Sequence, residues 1–166
     1  KRSAVERIVI PLSKKKGANE LLGADLILNS TRDIDPLIIK KAAGQGIDTS
    51  QTVVFPSMVV VKGQTQMSMV KAVQDNFPLR GNIYIASETF AQDRITNEVP
   101  KPGTVWLEPR LMTALQLNVG DEISLGEAVF QVTAVLITEP GRGGDLFNVA
   151  PRLLMNLEDI PLTQLL

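Results

Sequence analysis

The amino-acid sequence predicts an α+β fold, because stretches with helical spacing of apolar residues alternate with pairs of β-prone runs joined by glycine-containing turns. The stretch with the most consistent local signals runs from Gly103 to Gly144. Thr104 to Leu107 is a short β-prone run, and Glu108-Pro109 then begins a helix, since proline is favoured at the first helical position. This stretch therefore predicts a strand, a short helix and a hairpin, followed by a glycine-rich loop.

The helix and the hairpin of this stretch each have one apolar face. Ile123 and Leu125 alternate with polar residues, as in a half-buried strand. Gly126-Glu127 is a two-residue turn with glycine first, which favours a type II′ hairpin leading into a strand from Ala128 to Thr138. The apolar faces comprise Leu111, Met112 and Leu115 on the helix and Phe130, Val132, Ala134 and Leu136 on the second strand.

The N-terminal segment is predicted to be helical. Ser3 to Glu6 has the S-x-x-E form of a capping box, and apolar residues follow at helical spacing as far as Leu12. Because Pro11 interrupts this pattern, we expect the helix to kink or end near Ile10. A second helical piece is predicted from Ala18 to Leu22.

A buried strand and a further helix are predicted next. Ala24 to Asn29 is an apolar run typical of a buried strand. Asp33 to Pro36 then begins a helix that ends at Gly44 or Gly46. Its expected inward residues are Ile38, Ile39, Ala42 and Ala43.

The middle of the chain predicts a long hairpin and then a boundary. Thr52 to Lys62 and Thr65 to Val73 are β runs, and the glycine-led pair Gly63-Gln64 lies between them as a turn. A further strand is expected over residues 82–86. The polar segment 88–101 shows little pattern, so we predict a division of the chain into parts 1–99 and 100–166.

Composition limits the possible function classes. The chain has 166 residues, a formal net charge of -1 and a pI near 5.5, which argues against a nucleic-acid partner because phosphate binding needs a concentrated basic face. It has no Cys and no His, so disulfides, zinc sites and the usual general base are excluded. Lys14 to Lys16, the only basic run, is typical of a solvated segment or of contact with lipid headgroups.

No apolar run approaches the roughly 20 residues of a membrane span. The sequence starts at Lys1 without a signal-peptide pattern, so we expect a piece of a longer protein whose neighbouring segments include membrane spans.

Motifs for catalysis or cofactor binding are not found. Ser57 lacks the G-x-S-x-G context of a nucleophile elbow, and the carboxylate pairs lack the calcium-loop pattern. The loop from Glu139 to Asp145 is rich in glycine but is not followed by the Lys-Ser/Thr of a phosphate-binding loop. No catalytic, cofactor or metal site is therefore predicted.

Two regions are candidates for contact with a substrate or partner. Met67 and Met69 share a face of one hairpin, where they either pack in the core or form a soft apolar surface for a lipid-like ligand. Leu146 and Phe147 follow the glycine-rich loop and have the same two interpretations. Arg80 lies in a turn between strands, where it either satisfies nearby backbone carbonyls or a carboxylate or anchors a partner.

Several segments together resemble the extracytoplasmic domain of YbbP-type ABC transporter permeases, which belong to the wider group that includes MacB, FtsX and the lipoprotein-releasing permeases. The resemblance covers almost the whole chain in the same order. Its segments are residues 22–26, 55–59, 70–73 with 77–81, 105–111 and 151–156, which read LGADL, FPSMV, VKAV with FPLRG, VWLEPRL and PRLLMN.

The resemblance implies a periplasmic domain of a bacterial inner-membrane permease, inserted between its first two membrane helices. Its fold would be a porter-like α/β subdomain with a smaller, β-rich Sabre-like subdomain. The implied partners are a cytoplasmic ABC ATPase subunit and a periplasmic esterase or hydrophobic substrate, with no catalytic role for this chain. The alternative is a small-molecule-binding domain or a hydrolase using carboxylates such as Asp25 or Glu108, and membrane spans on both sides of the segment would favour the permease.

Overall fold

The computed structural model describes residues 5–10, 24, 26–32, 34–141 and 150–166, and for residues 5–10 it describes the backbone alone. The elements in these residues are β1 (Val5–Ile10), β2 (Leu26–Ser30), α1 (Pro36–Gly44), β3 (Ser50–Val61), β4 (Gln64–Val73), β5 (Ile83–Ala86), β6 (Arg94–Thr96), β7 (Thr104–Leu107), α2 (Pro109–Ala114), β8 (Glu122–Leu125), β9 (Ala128–Thr138), β10 (Arg152–Asn156), a 3-10 turn (Leu157–Asp159) and α3 (Ile160–Thr163).

Six of these strands close into a barrel. Around the ring, β3 pairs with β4, β4 with β10, β10 with β7, β7 with β9, β9 with β8, and β8 again with β3. The β4 to β10 and β7 to β9 pairings are parallel, and the other four are antiparallel. Outside the ring, β1 and β2 continue the sheet from β3, and β5 and β6 continue it from β9.

This architecture shows that the predicted fold class was wrong. The chain is mostly β, with a closed six-stranded barrel and three short helices in the described residues, and it is not a porter-like α/β subdomain joined to a Sabre-like subdomain. Local sequence patterns do not reveal parallel pairings between distant segments, and two such pairings close the barrel. The division between residues 99 and 100 stays a prediction, and the barrel takes strands from both sides of it.

The predicted N-terminal helix is also wrong, because Val5 to Ile10 forms strand β1 between β2 and β3. Val5, Ile8, Val9 and Ile10 are β-branched, a type of side chain that favours strands over helices. Pairing on both sides therefore overrides the capping-box signal. The predicted piece from Ala18 to Leu22 lies outside the described residues.

The next predicted elements are present but less buried than expected. Strand β2 lies at the edge of the sheet, where Leu26 and Leu28 are exposed. In α1, Asp35 caps the helix by accepting from the backbone N–H of Leu37 at 2.9 Å. Of its residues only Ala42 is buried, whereas Ile38 was predicted to face inward and is exposed.

Both predicted hairpins are confirmed, with one turn shifted. Gly126 has φ +60 and links β8 to β9 as a glycine-led turn. In the first hairpin the turn is Lys62-Gly63, one residue earlier than predicted, since Val61 pairs with Gln64. Both turn residues have positive φ, 47 and 83, as a type I′ turn requires.

The core has two parts separated by the sheet. The larger fills the barrel and includes Phe55 and Leu107, together with Phe130 and the apolar face of α2, which were predicted to face inward. The second lies on the other side of the sheet around Trp106. Strand β9 supplies both parts because its register with β7 shifts between Val132 and Ala134. The apolar residues of β9 that were predicted to share one face therefore divide between the two sides of the sheet. Phe130 and Val132 lie in the barrel, and Ala134 and Leu136 lie outside it.

Candidate functional site: an apolar band on the outer face of the barrel

The outer face of the barrel carries apolar side chains on three strands, β4, β3 and β9, with β8 lying between β3 and β9. Met58 of β3 lies directly opposite Met67 of β4, and the two are 41% and 50% exposed. Two residues after Met58, Val60 lies opposite Ser124 of β8, which in turn lies opposite Val129 of β9. Val129 is 59% exposed and Val60 is half-buried. We call Met58, Val60, Met67 and Val129 the outer band.

The alternation of β3 produces this arrangement. Phe55, Ser57 and Val59 are buried towards the barrel, and Met58 and Val60 between and after them point outward. Strands with one solvated face usually carry polar residues on it, and contiguous exposed apolar residues mark contact surfaces. The outer band is therefore a candidate contact surface.

A groove of about 540 Å³ adjoins the outer band at the end of the β3–β4 hairpin. Its wall shares Val60 and Val129 with the band. The remaining lining residues are apolar at Val61, Leu115, Leu117 and Ile123 and polar or charged at Lys62, Gln64, Gln116, Asp121, Glu122 and Ser124, together with Gly120. Such a mixture suits an amphipathic ligand or a peptide segment.

The rim of the groove is held by an unusual but well-bonded backbone. Lys62 and Gln116 have φ of 47 and 52, a region that side-chain-bearing residues rarely adopt. The N–H of Gly120 donates to the carbonyl of Val132, and the N–H of Val132 donates to the carbonyl of Asp121, each at 2.8 Å. Lys62 belongs to the type I′ turn of the β3–β4 hairpin and Gln116 follows the C-cap of α2, so local turn geometry accounts for both φ values.

A buried ionic network joins β4 to the segment that follows β9. Lys71 Nζ lies 2.5 Å from Glu139 Oε2 and donates to the carbonyl of Pro140 at 2.9 Å. It also lies 4.3 Å from the centre of the Phe77 ring, a cation–π distance. The Lys71 and Glu139 side chains are 4% and 0% exposed, so the pair is almost fully desolvated.

Arg152 and Glu108 extend this network to β10 and the start of α2. Arg152 Nε lies 3.1 Å from Glu139 Oε1, although outside hydrogen-bond geometry. The backbone N–H of Arg152 donates to Glu108 Oε2 at 2.8 Å, and the side-chain Nε of Arg110 donates to Glu108 Oε1 at 2.9 Å. Both carboxylates are thus held by cations or N–H groups, which fits a structural role better than acid–base catalysis.

Comparison with known proteins identifies one relevant relative. The uncharacterized ABC transporter permease YbbP of Escherichia coli (strain K12) is 32% identical to this chain over 146 residues, which are 88% of the chain. This similarity supports the ABC transporter permease family. The chain spans 17% of that permease's length. No family model and no solved structure matches the chain.

The predicted contact residues lie in different surroundings. Met67 is in the outer band, whereas Met69 is 5% exposed, which fits the core-packing interpretation for that residue. Arg80 is half-buried in the connection from β4 to β5, just before Gly81 with its φ of 79. Leu146 and Phe147 lie outside the described residues, as does Asp25, the carboxylate named for the alternative hydrolase.

Met58 and Val129 of the outer band were not predicted as contact residues. A turn at Lys62-Gly63 places Met58 opposite Met67, whereas the predicted turn at Gly63-Gln64 places it opposite Met69, on the same face of the hairpin. The preference of type I′ turns for glycine at the second central position was the available signal. The contribution of Val129 depends on the pairing of β3 with β8, which no local motif indicates.

Neither a metal site nor a membrane-spanning helix is found in the described residues. They contain no group of three or more His, Cys, Asp or Glu side chains placed to hold a metal ion. Within the same residues, no helix has both the length and the apolar character needed to cross a membrane.

Proposed function

We propose that this chain is an extracytoplasmic domain of an ABC transporter permease and that its outer band contacts the hydrophobic substrate or the periplasmic partner that the permease handles. The similarity to YbbP supports the permease part of the proposal. The observation that carries the contact part is the exposure of Met58 and Met67 directly opposite each other, with Val129 exposed on the same outer face beyond Val60 and Ser124. Methionine side chains are flexible and polarizable, so they adapt to apolar ligands of varied shape.

In this proposal the domain is periplasmic and is tethered to the bacterial inner membrane through spans outside the sequence. A cytoplasmic ABC ATPase subunit drives movement of those spans, and the domain carries the movement to the substrate or partner. We further propose that the chain performs no catalysis, because its sequence has neither Cys nor His and because Glu108 and Glu139, buried among the described residues, are engaged in the ionic network.

The location is testable with a single cysteine, because the chain has none of its own. In a cysteine-free full-length permease, Phe90→Cys places a thiol at a residue that is 98% exposed. We expect a membrane-impermeant maleimide to label it once the outer membrane is permeabilised and the inner membrane is intact. Labelling only after the inner membrane is broken would show that the domain is cytoplasmic.

The coupling role is testable with a solvent-sensitive fluorophore on a cysteine at position 67 or 129 of the same full-length permease, reconstituted with its ATPase. We expect ATP to shift the emission at both positions and a hydrolysis-deficient ATPase to remove the shift. Ile95→Cys is the matched control, because Ile95 is 53% exposed on β6, away from the outer band. An equal shift at position 95, or none at 67 and 129, would contradict the proposed contact role.

A further inference from the structure

The methionines of this chain are distributed unevenly over the structure. The chain has five, of which Met112 and Met155 are buried in the barrel core at 2% and 0% exposure. Met58, Met67 and Met69 all belong to the β3–β4 hairpin. Packing in the barrel core explains Met112 and Met155, whereas Met58 and Met67 are exposed and Met69 is buried beside them on the same hairpin.

The hairpin register brings these three side chains together. Met58 and Met67 are directly opposite, a position in which Cβ atoms lie about 4.5–5.5 Å apart. Met69 is two residues after Met67 on a strand with regular pairing, so it shares the outward face and is the diagonal neighbour of Met58, at about 7–8 Å. A methionine side chain has three rotatable bonds, which is enough for the sulfur atoms to converge.

The environment of the cluster has the character of a site for a soft monovalent cation. Its neighbours along the hairpin, Pro56, Gln66 and Ser68, carry no charge. Arg152, which pairs with Met69 across the sheet, and Lys71, two residues after Met69 on the same face, both contact the Glu139 carboxylate, so the cations nearest to Met69 are engaged in the ionic network. Hard cations, which need oxygen ligands, have no carboxylate on these strand positions.

We propose that the thioether sulfurs of Met58, Met67 and Met69 form a binding site for Cu(I), with Ag(I) as its redox-inert analogue. Thioethers are soft ligands that select Cu(I) over divalent cations. Met69 at 5% exposure anchors the site from within, and Met58 and Met67 at 41% and 50% leave it open to the solvent. The site depends on the hairpin alone and goes beyond the proposed role in transport.

The test is a titration of the 166-residue chain, carrying ¹³C-labelled methionine methyl groups, with silver nitrate in a chloride-free buffer. We expect saturation at one Ag(I) per chain, with shifts at the methyl groups of Met58, Met67 and Met69. Met112 and Met155 serve as internal controls because the core shields them, and their signals should not move. Zinc sulfate, as a borderline divalent ion, should move none of the five.

Met→Leu variants show whether the sulfur atoms are responsible. Leucine keeps an apolar side chain of similar size, so each change should leave the fold and the outer band in place. Removing a residue that only supports a metal ligand already lowers metal affinity by about 10–100-fold. Each single variant removes a ligand itself, so we expect it to weaken Ag(I) binding at least about tenfold. The triple variant Met58→Leu, Met67→Leu and Met69→Leu should abolish it.

Three results would overturn the proposal. They are a titration without saturation, shifts confined to one methionine, and a triple leucine variant that binds Ag(I) as well as the unaltered chain. The same triple variant in the full-length permease separates the two proposals, because leucine keeps the band apolar. If the triple variant loses Ag(I) binding and keeps the ATP-dependent fluorescence shift at position 129, the result would support both the metal site and the transport role. If it loses the fluorescence shift and keeps Ag(I) binding unchanged, the metal site is overturned as stated above. If it loses both, the result would count only against the transport role.

Discussion

Replacing Lys71 by methionine tests how far the buried ionic network stabilises the barrel. The change removes an ion pair to Glu139, a hydrogen bond to the carbonyl of Pro140 and a cation–π contact with Phe77. Methionine has a similar volume, so cavity formation adds little. What remains is a Glu139 carboxylate with 0% exposure that has lost its nearest cation. Breaking a buried pair from one side costs about 3–5 kcal/mol, and because Arg152 Nε still lies 3.1 Å from Glu139 we expect Lys71→Met to lower the free energy of unfolding by about 3 kcal/mol, the lower end of that range.

The assay is urea unfolding of the 166-residue chain followed by circular dichroism and Trp106 fluorescence. Lys40→Met, at an exposed position on α1, is the matched control and should change stability by less than about 0.5 kcal/mol. The double variant Lys71→Met with Glu139→Gln should lose less than the sum of the two single losses, with a coupling of at least about 1 kcal/mol. A loss below about 1 kcal/mol for Lys71→Met, or strictly additive losses, would refute the reasoning.

Three further predictions concern single positions. Gly126→Ala should lower stability by about 1–3 kcal/mol, because the residue has φ +60 and an added Cβ would lie 2.0 Å from the carbonyl oxygen of Thr163; an unchanged urea midpoint would contradict this. Burial raises the pKa of Asp159 above its ordinary value of about 3.8, against the opposing effect of the hydrogen bond from the Gly103 N–H. The folded state therefore binds the proton of the Asp159 carboxyl more tightly than the unfolded state does. The contribution of this carboxyl to folding stability is fully present below pH 3.8 and is lost as the pH rises through the raised pKa. We therefore expect the free energy of unfolding of Asp159→Asn, relative to that of the parent, to be higher near neutral pH than in acid. Urea unfolding at the two pH values measures this difference, and a difference that does not vary with pH would count against the prediction. Phe90→Gly should leave the free energy of unfolding unchanged or raise it by about 1 kcal/mol, since Phe90 is 98% exposed and has a φ of 72. Thermal melting measures this, and a clear fall in the melting temperature would contradict the prediction by revealing a stabilising contact of the ring.

Elements governed by neighbouring residues were predictable from the sequence. The helix at Pro109, the capping of α1 by Asp35 and the turn at Gly126 each depend on residues a few positions apart. Their backbone preferences act locally, so the chemistry of proline, aspartate and glycine is enough to place them.

The closure of the barrel was not predictable in the same way. Val70 pairs with Leu153 in the parallel β4–β10 ladder, and nothing near either residue indicates the other. The same holds for β1, whose strand form depends on partners on both sides and so escaped a prediction based on helical spacing. Long-range pairing decided the fold class, and this is the level at which the α+β prediction failed.

The candidate site was partly predictable. Met67 was identified as a contact candidate from its residue type and place in a hairpin, and the structure places it on an exposed face. The predicted turn put Met58 on the same face but opposite Met69 instead of Met67, because glycine was assigned to the first turn position instead of the second. Val129 joins the outer band only through the ring of strands.

The closed ring of strands has a mechanical consequence. Reshaping the outer band would require β3, β4, β8 or β9 to slide or separate, and each of these strands is hydrogen-bonded on both sides. Sliding by one residue would turn every side chain of a strand to the opposite face and empty the core. A force applied to any part of this barrel would therefore move it as a rigid body. In a rotation, the displacement of Met67 or Val129 would be proportional to the distance of that residue from the rotation axis.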